Sequence, residues 1–191
     1  MSVFAKGEKC ELRVREESER ELRIYTDAIM RGDTTKYLFT GSTPMRWIDS
    51  AAVWKKEREA GDVLFGIWVE SSTYKEWATA HQFVGICGLH SHRDIYKSWE
   101  LRILIFDKDA IGKGIGFEAC SLMVDYAFNR LNAHRVWLGV NADNELAINC
   151  YKKVGFKEEG RLRDEIFYHG KYVDAVRMGI LQNEWGVHVE A

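Results

Sequence analysis

At 191 residues the chain is long enough for one domain with a sizeable core, and its 46% apolar and 29% charged residues describe an ordinary globular protein. A formal net charge of -2 argues against general nucleic-acid binding, which needs a basic excess. The longest apolar run, Val63 to Val69, falls far short of the ~18 residues of a membrane helix, and Met1 to Glu8 lacks the apolar stretch of a secretory signal. No membrane partner and a cytoplasmic location are therefore expected. Cys10, Cys87, Cys120 and Cys150 are widely separated and form no C-x-x-C pair, so they read as buried free thiols, with no metal and no redox motif.

In chain order, Glu11 to Val14 reads as a short first strand, followed by a helix-prone, charged stretch from Glu17 to about Met30. Arg31 to Pro44, with Gly32, Gly41, Ser42 and the single proline, reads as a loop. A second helix is expected from Met45 or Arg46 to Glu59, stopped by Ala60-Gly61-Asp62. Val63 to Val69 and Gln82 to Leu89 are strand-like runs around a polar and aromatic loop, Glu70 to His81, and Trp99 to Phe106 is a third. From Ile115 to about Leu131 an apolar stripe at helical spacing (Ile115, Ala119, Met123, Tyr126, Ala127) predicts a largely buried helix. Arg135 to Val140 is a strand and Glu145 to Lys153 a short helix, with Asn144 as its N-cap and Gly155 as its C-cap glycine. Two last strands, Phe156 to Tyr168 and Tyr172 to Leu181, join at His169-Gly170-Lys171. This order predicts a single α/β domain over residues 1–191, with a mostly antiparallel sheet. The strand, helix, strand unit from Trp99 to Val140 demands one parallel pair within it.

The most specific stretch is Ile111-Gly112-Lys113-Gly114-Ile115-Gly116, between a strand and the buried helix. Alternate glycines let a ligand approach the backbone, and the helix start offers free N–H groups to an anion. It lacks the Gly-x-x-x-x-Gly-Lys-Ser/Thr of a P-loop. Further on, Asn144, Ala147, Tyr151, Lys153, Gly155 and Phe156 form the pattern Asn-x-x-Ala-x-x-x-Tyr-x-Lys-x-Gly-Phe. With both segments the chain resembles the GNAT superfamily of acetyl-CoA-dependent N-acetyltransferases. Its tail, Glu159 to Leu181, is similar to the branch of ribosomal-protein N-terminal, spermidine and amino-sugar acetyltransferases. Ile111 departs from the Arg or Gln usual in the family.

The resemblance implies acetyl-CoA as cosubstrate, its pyrophosphate on the amides of Ile111, Gly112, Lys113, Gly114, Ile115 and Gly116, with the Lys113 ammonium adding charge. It implies that the pantetheine arm pairs with the backbone of Leu104, Ile105 and Phe106, where the parallel strands splay, and that Asn144 meets the coenzyme. Tyr151 is then the proton donor to the departing thiolate, or its hydrogen-bond partner, and Glu100 the general base, unless it merely pairs with Arg102 or a neighbouring strand. The partner is a small-molecule or peptide amine: a protein N-terminus, a polyamine or an amino sugar. The resemblance leaves room for a homodimer. A non-catalytic coenzyme A binder on the same scaffold is the alternative, against which the presence of Tyr151 speaks. His90, His92 and Asp94 supply too few ligands for a metal site. The acidic residues Glu158, Glu159, Asp164 and Glu165 are either a polyamine attractor or a solvated face. Tyr37, Phe39, Trp47, Tyr74 and Trp77 either stack on an acceptor or close the core.

Overall fold

The computed structural model describes residues 2–31, 45–70, 81–168 and 170–186. The expected loops 31–44 and 70–81, with Tyr37, Phe39, Tyr74 and Trp77, fall almost wholly outside these residues, as does His169. The described elements are β1 (Val3–Lys6), β2 (Glu11–Val14), α1 (Glu19–Met30), α2 (Trp47–Glu59), β3 (Val63–Glu70), β4 (His81–Arg93), β5 (Ser98–Ile105), α3 (Ile115–Asn129), β6 (Arg135–Asn141), α4 (Glu145–Val154), β7 (Lys157–Tyr168) and β8 (Lys171–Leu181). The strands form one eight-stranded sheet in the order β1-β2-β3-β4-β5-β6-β8-β7. Every pairing is antiparallel except β5 with β6, as the linking helix requires.

Side chains alternate across the sheet, so each strand feeds two apolar layers. Phe65, Leu89, Leu101, Val136, Leu138 and Met178 face α3 and α4, against Ile115, Met123, Val124 and Val154. On the other face Trp68, Phe83 and Phe106 pack against Leu22, Tyr25 and Ile29 of α1 and Trp54 of α2. A buried hydrogen bond between Thr26 and Ser50, 2.7 Å, ties α1 to α2. Helix α3 is sunk in the core as its apolar spacing predicts. In α2, by contrast, Ser50 and Trp54 are the buried residues and Trp47 and Ala51 are partly buried, so its mixed face reflects a helix that lies on the surface with one narrow side inward.

One strand is absent from the sequence reading. β1 carries mostly exposed side chains with no alternation to mark it. It is held by backbone pairing to β2 and by Phe4, which stacks on Phe65 at 4.4 Å and meets Tyr126 edge-on. That is tertiary packing, invisible to local pattern.

Candidate active site

The parallel ladder between β5 and β6 consists of Ser98 with Arg135, Trp99 with Val136 and Glu100 with Trp137, and pairing then stops. β5 runs on to Ile105 beside β4 while β6 turns to β8. From Leu101 onward, the β6-facing edge of β5 is an unpaired strand edge, a ready template for another extended chain. The Phe106 amide donates to the Val84 carbonyl on the β4 side, 2.9 Å. Amides alternate in direction along a strand, so Ile105, not Phe106, turns its N–H to the gap. Of the residues expected to pair with a pantetheine arm, Phe106 thus has its amide held elsewhere, and its ring is buried against Phe83. Leu104 and Ile105 are partly buried on opposite faces.

The glycine turn follows directly. Gly112 and Gly114 have φ of +77° and +83°, values that L side chains rarely adopt, and Gly114 is the N-cap of α3. Gly116 differs. Its φ is ordinary, and a Cβ there would meet nothing closer than the Ile105 side chain at 3.9 Å. Neither backbone nor protein packing requires this glycine. Ile111 and Lys113 are exposed, whereas the Ile115 side chain is fully buried and offers the turn only its backbone.

A second cation stands at this turn that sequence reasoning missed. The Glu118 carboxylate, in the first turn of α3, accepts the N–H groups of Glu8, Lys9 and Cys10 at 2.8, 2.8 and 2.7 Å. This pins the β1 to β2 turn onto the helix start and brings Lys9 Nζ to 3.4 Å from the Lys113 carbonyl. The Gly7-Glu8-Lys9 run carries no signal for such docking, since its anchor lies more than a hundred residues away.

Across the gap, α4 begins as expected. Asn144 Oδ1 accepts the Ala147 N–H at 3.2 Å, and Gly155 ends the helix at φ +114°. Tyr151 is partly exposed, its ring edge-on to Phe156. Burial around its hydroxyl, with Cys120 and Cys150 adding, pushes the phenol well above the usual range, so it stays protonated. Among the described residues that hydroxyl has no hydrogen-bond partner.

Glu100 lies on the face opposite α3, 15% exposed, and accepts from Arg102 at 2.8 Å. The ion pair considered as its simpler role is thus formed. Directly across the strand pair stands His90, whose Nδ1 is 2.7 Å from Asp62 Oδ2. On the same face Arg177 stacks over the Trp137 ring at 4.1 Å. Among the described residues nothing lies within 4 Å of where a Cβ would stand at Gly139 or Gly160. Glu159 of the acidic tail is paired with Arg135, whose guanidinium holds its carboxyl below the usual range, while Glu158 and Glu165 are exposed. A cleft of about 380 Å³ opens between Ile24 of α1 with its C-cap Arg31, Phe83 of β4, and Phe106 to Asp109 just after β5. Among the described residues no group of three or more His, Cys, Asp or Glu forms a metal site, and no helix is long and apolar enough to cross a membrane.

A splayed parallel pair running into a glycine turn and a buried helix matches a known architecture, and the family model for the acetyltransferase (GNAT) domain covers residues 16–157. The chain belongs to this GNAT family. It is similar to the spermidine N(1)-acetyltransferase of Escherichia coli K12, 37% identical over 101 residues, 53% of this chain and 54% of that protein. It is also similar to the putative ribosomal N-acetyltransferase YdaF of Bacillus subtilis, 33% identical over 101 residues, 53% and 55% of the two chains. The chain spans about half the length of these curated relatives. A crystal structure of spermidine N-acetyltransferase from Vibrio cholerae in complex with CoA and spermine superposes with a TM-score of 0.78 at 26% identity, covering 93% of this chain and 98% of that one. The GNAT fold is therefore shared over nearly the full length.

Proposed function

We propose that this GNAT protein, acting as one domain, transfers the acetyl group of acetyl-CoA to a primary amine. The observation that carries the reading is the loss of β5 to β6 pairing after Glu100, on the strand that leads to the glycine turn. The gap offers unpaired strand edge to the amides of a pantetheine arm. The turn offers the N–H groups of Gly112 to Gly116 to the pyrophosphate at a helix N-terminus, with Lys113 nearby. Gly116 fits this, because a ligand lying against its Cα supplies the reason for glycine that the protein does not.

In the reaction the amine nitrogen attacks the thioester carbon, and charge builds on the carbonyl oxygen. The Ile105 N–H is the donor best directed at it, and such a donor contributes about 3 to 4 kcal/mol to transition-state stability. As the C–S bond breaks, Tyr151 meets the thiolate with a hydroxyl that has no hydrogen-bond partner among the described residues. A phenol held above its ordinary range keeps its proton, so it acts first as a hydrogen-bond donor to sulfur. Asn144, while capping α4, fixes the helix that carries Tyr151.

The acceptor we favour is a polyamine, because the E. coli relative and the V. cholerae neighbour are spermidine acetyltransferases. A protein N-terminus is the second candidate, after the B. subtilis relative. The test is release of free coenzyme A thiol from acetyl-CoA with spermidine, N-terminal peptides and amino-sugar nucleotides. Rapid release with spermidine is the expected result. Binding of acetyl-CoA with no release for any primary amine would favour the non-catalytic coenzyme A binder instead.

A further inference from the structure

The proton on the acceptor ammonium needs a base, and the glutamate expected to serve is held by Arg102 at 2.8 Å. A carboxylate is also poorly matched to an alkylammonium: reference values of about 4.3 and about 10.4 lie some 6 units apart, against about 4 for an imidazole near 6.5. An imidazole stands next to Glu100. His90 is the cross-strand partner of Glu100, so the two side chains rise side by side from the same sheet face. The histidine is 7% exposed and its ring is oriented by one bond, Nδ1–H donating to Asp62 Oδ2 at 2.7 Å. That bond fixes the tautomer, leaving the lone pair on Nε2. The ring leans along β4 over Gly88, where Nε2 lies 3.4 Å from the position a Cβ would take. Gly88 is the partner of Arg102, two residues nearer the mouth of the gap than Glu100. Nε2 is therefore displaced along β4 in the direction in which β5 and β6 splay apart, and among the described residues it has no partner of its own.

We propose that His90, oriented by Asp62, is the group that takes the proton from the acceptor amine, with Glu100 and Arg102 forming a charged pair that lines the acceptor's approach. This rests on the amine acetyltransferase reading above. The ammonium gives one proton to Nε2, and the imidazolium formed is charge-paired with Asp62. The freed lone pair makes the C–N bond and the C–S bond breaks. The thiolate leaves against Tyr151 and takes the second proton that the new C–N bond leaves in excess on nitrogen, giving amide and free thiol, and the imidazolium returns the first proton to water. Among the described residues, the charged groups around the ring are Asp62 from the α2 to β3 connection and Glu100 and Arg102 from β5. Glu57 of α2 and Asp62 both act on Arg102.

The test is the pH dependence of kcat/KM for spermidine, with acetyl-CoA affinity measured in parallel. His90→Asn is the decisive variant, because its amide N–H can still reach Asp62 while the acceptor at Nε2 is gone. It should lower kcat/KM about 100-fold at neutral pH, move the rising limb to alkaline pH where free amine is abundant, and leave acetyl-CoA affinity within about 3-fold. Asp62→Asn should lower kcat/KM about 10-fold or more. Glu100→Gln should keep the neutral limb in place while raising KM. A rising limb unmoved in His90→Asn but lost in Glu100→Gln would overturn the proposal. Nitrogen NMR of the wild-type ring reads it without turnover: Nδ1–H with bare Nε2 is expected, and a proton fixed on Nε2 would contradict it. If wild type binds acetyl-CoA but acetylates no amine, the acetyltransferase reading fails, and the ring's tautomer still decides whether His90 is built as a base.

Discussion

On the side of the sheet proposed for the coenzyme the candidate site is made of backbone: an unpaired strand edge after Glu100, glycines at +77° and +83°, and the open start of α3. On the side proposed for the acceptor it is made of side chains that hold one another, Asp62 on His90, Arg102 on Glu100, Arg177 on Trp137 and Arg135 on Glu159. Backbone requirements leave marks in sequence, since a positive φ or a close approach restricts a position to glycine wherever it occurs. Pairing between side chains leaves none, because His90 and Asp62 are joined by strand register rather than by spacing along the chain. The same division separates a ligand bound by shape and amide direction from one bound by charge and proton affinity.

The largest effect expected on the coenzyme side is Tyr151→Phe. It should lower kcat about 100-fold while changing acetyl-CoA affinity less than 3-fold, as read by steady-state rates and calorimetry. Unchanged kcat would remove the phenol from the reaction. Gly116→Ala sharpens the contrast between ligand space and protein space. Affinity for acetyl-CoA should fall about 10-fold, whereas thermal stability should hold or rise by up to about 1 kcal/mol, because alanine is the better helix former and the site has room. A variant with unimpaired affinity would show that no ligand lies against that Cα. Gly114→Val differs in kind: its φ of +83° forces strain of about 1 to 2 kcal/mol and Lys9 must move, so stability and affinity should fall together in denaturation and binding measurements.

Smaller effects follow for the caps and outer pairs. Asn144→Ala removes the bond to Ala147 and should cost about 1 kcal/mol of stability in denaturant melts, with kcat falling as α4 loosens. On the acceptor side, Glu159→Gln should change stability at neutral pH by less than about 1 kcal/mol, since the pair is partly solvated. The folded carboxyl is held below its usual range by Arg135, so its contribution is fully present above the unfolded pKa of ~4.5 and is lost as pH falls through the folded value. Melts of the variant should therefore lose a little of the acid-side slope of wild type and nothing above pH ~6.

The legibility of the fold follows the same line. Helix α3 was readable because its apolar stripe matches a buried helix, and the parallel pair followed from the helix that joins its strands. Asn144 and Gly155 marked both ends of α4. β1 was not readable, because its exposed residues carry no period and its anchor is an aromatic contact with Phe65. In the site, Gly112 to Gly116 and Tyr151 stood out by motif, while Lys9 did not, since the Glu118 carboxylate that docks its turn is remote in sequence. Phe106 entered the expected coenzyme contacts through the family resemblance, and the direction of its amide toward Val84 appears only once the register is known.

The measurement that bears most directly on the account is a crystal structure of the protein with acetyl-CoA. The expected result has the pantetheine arm lying along β5 between Leu101 and Ile105, the thioester oxygen at the Ile105 N–H, the pyrophosphate on the amides of Gly112 to Gly116 and the sulfur within reach of the Tyr151 hydroxyl. Coenzyme bound away from this gap, or β5 and β6 zipped together beyond Glu100 and Trp137, would contradict it.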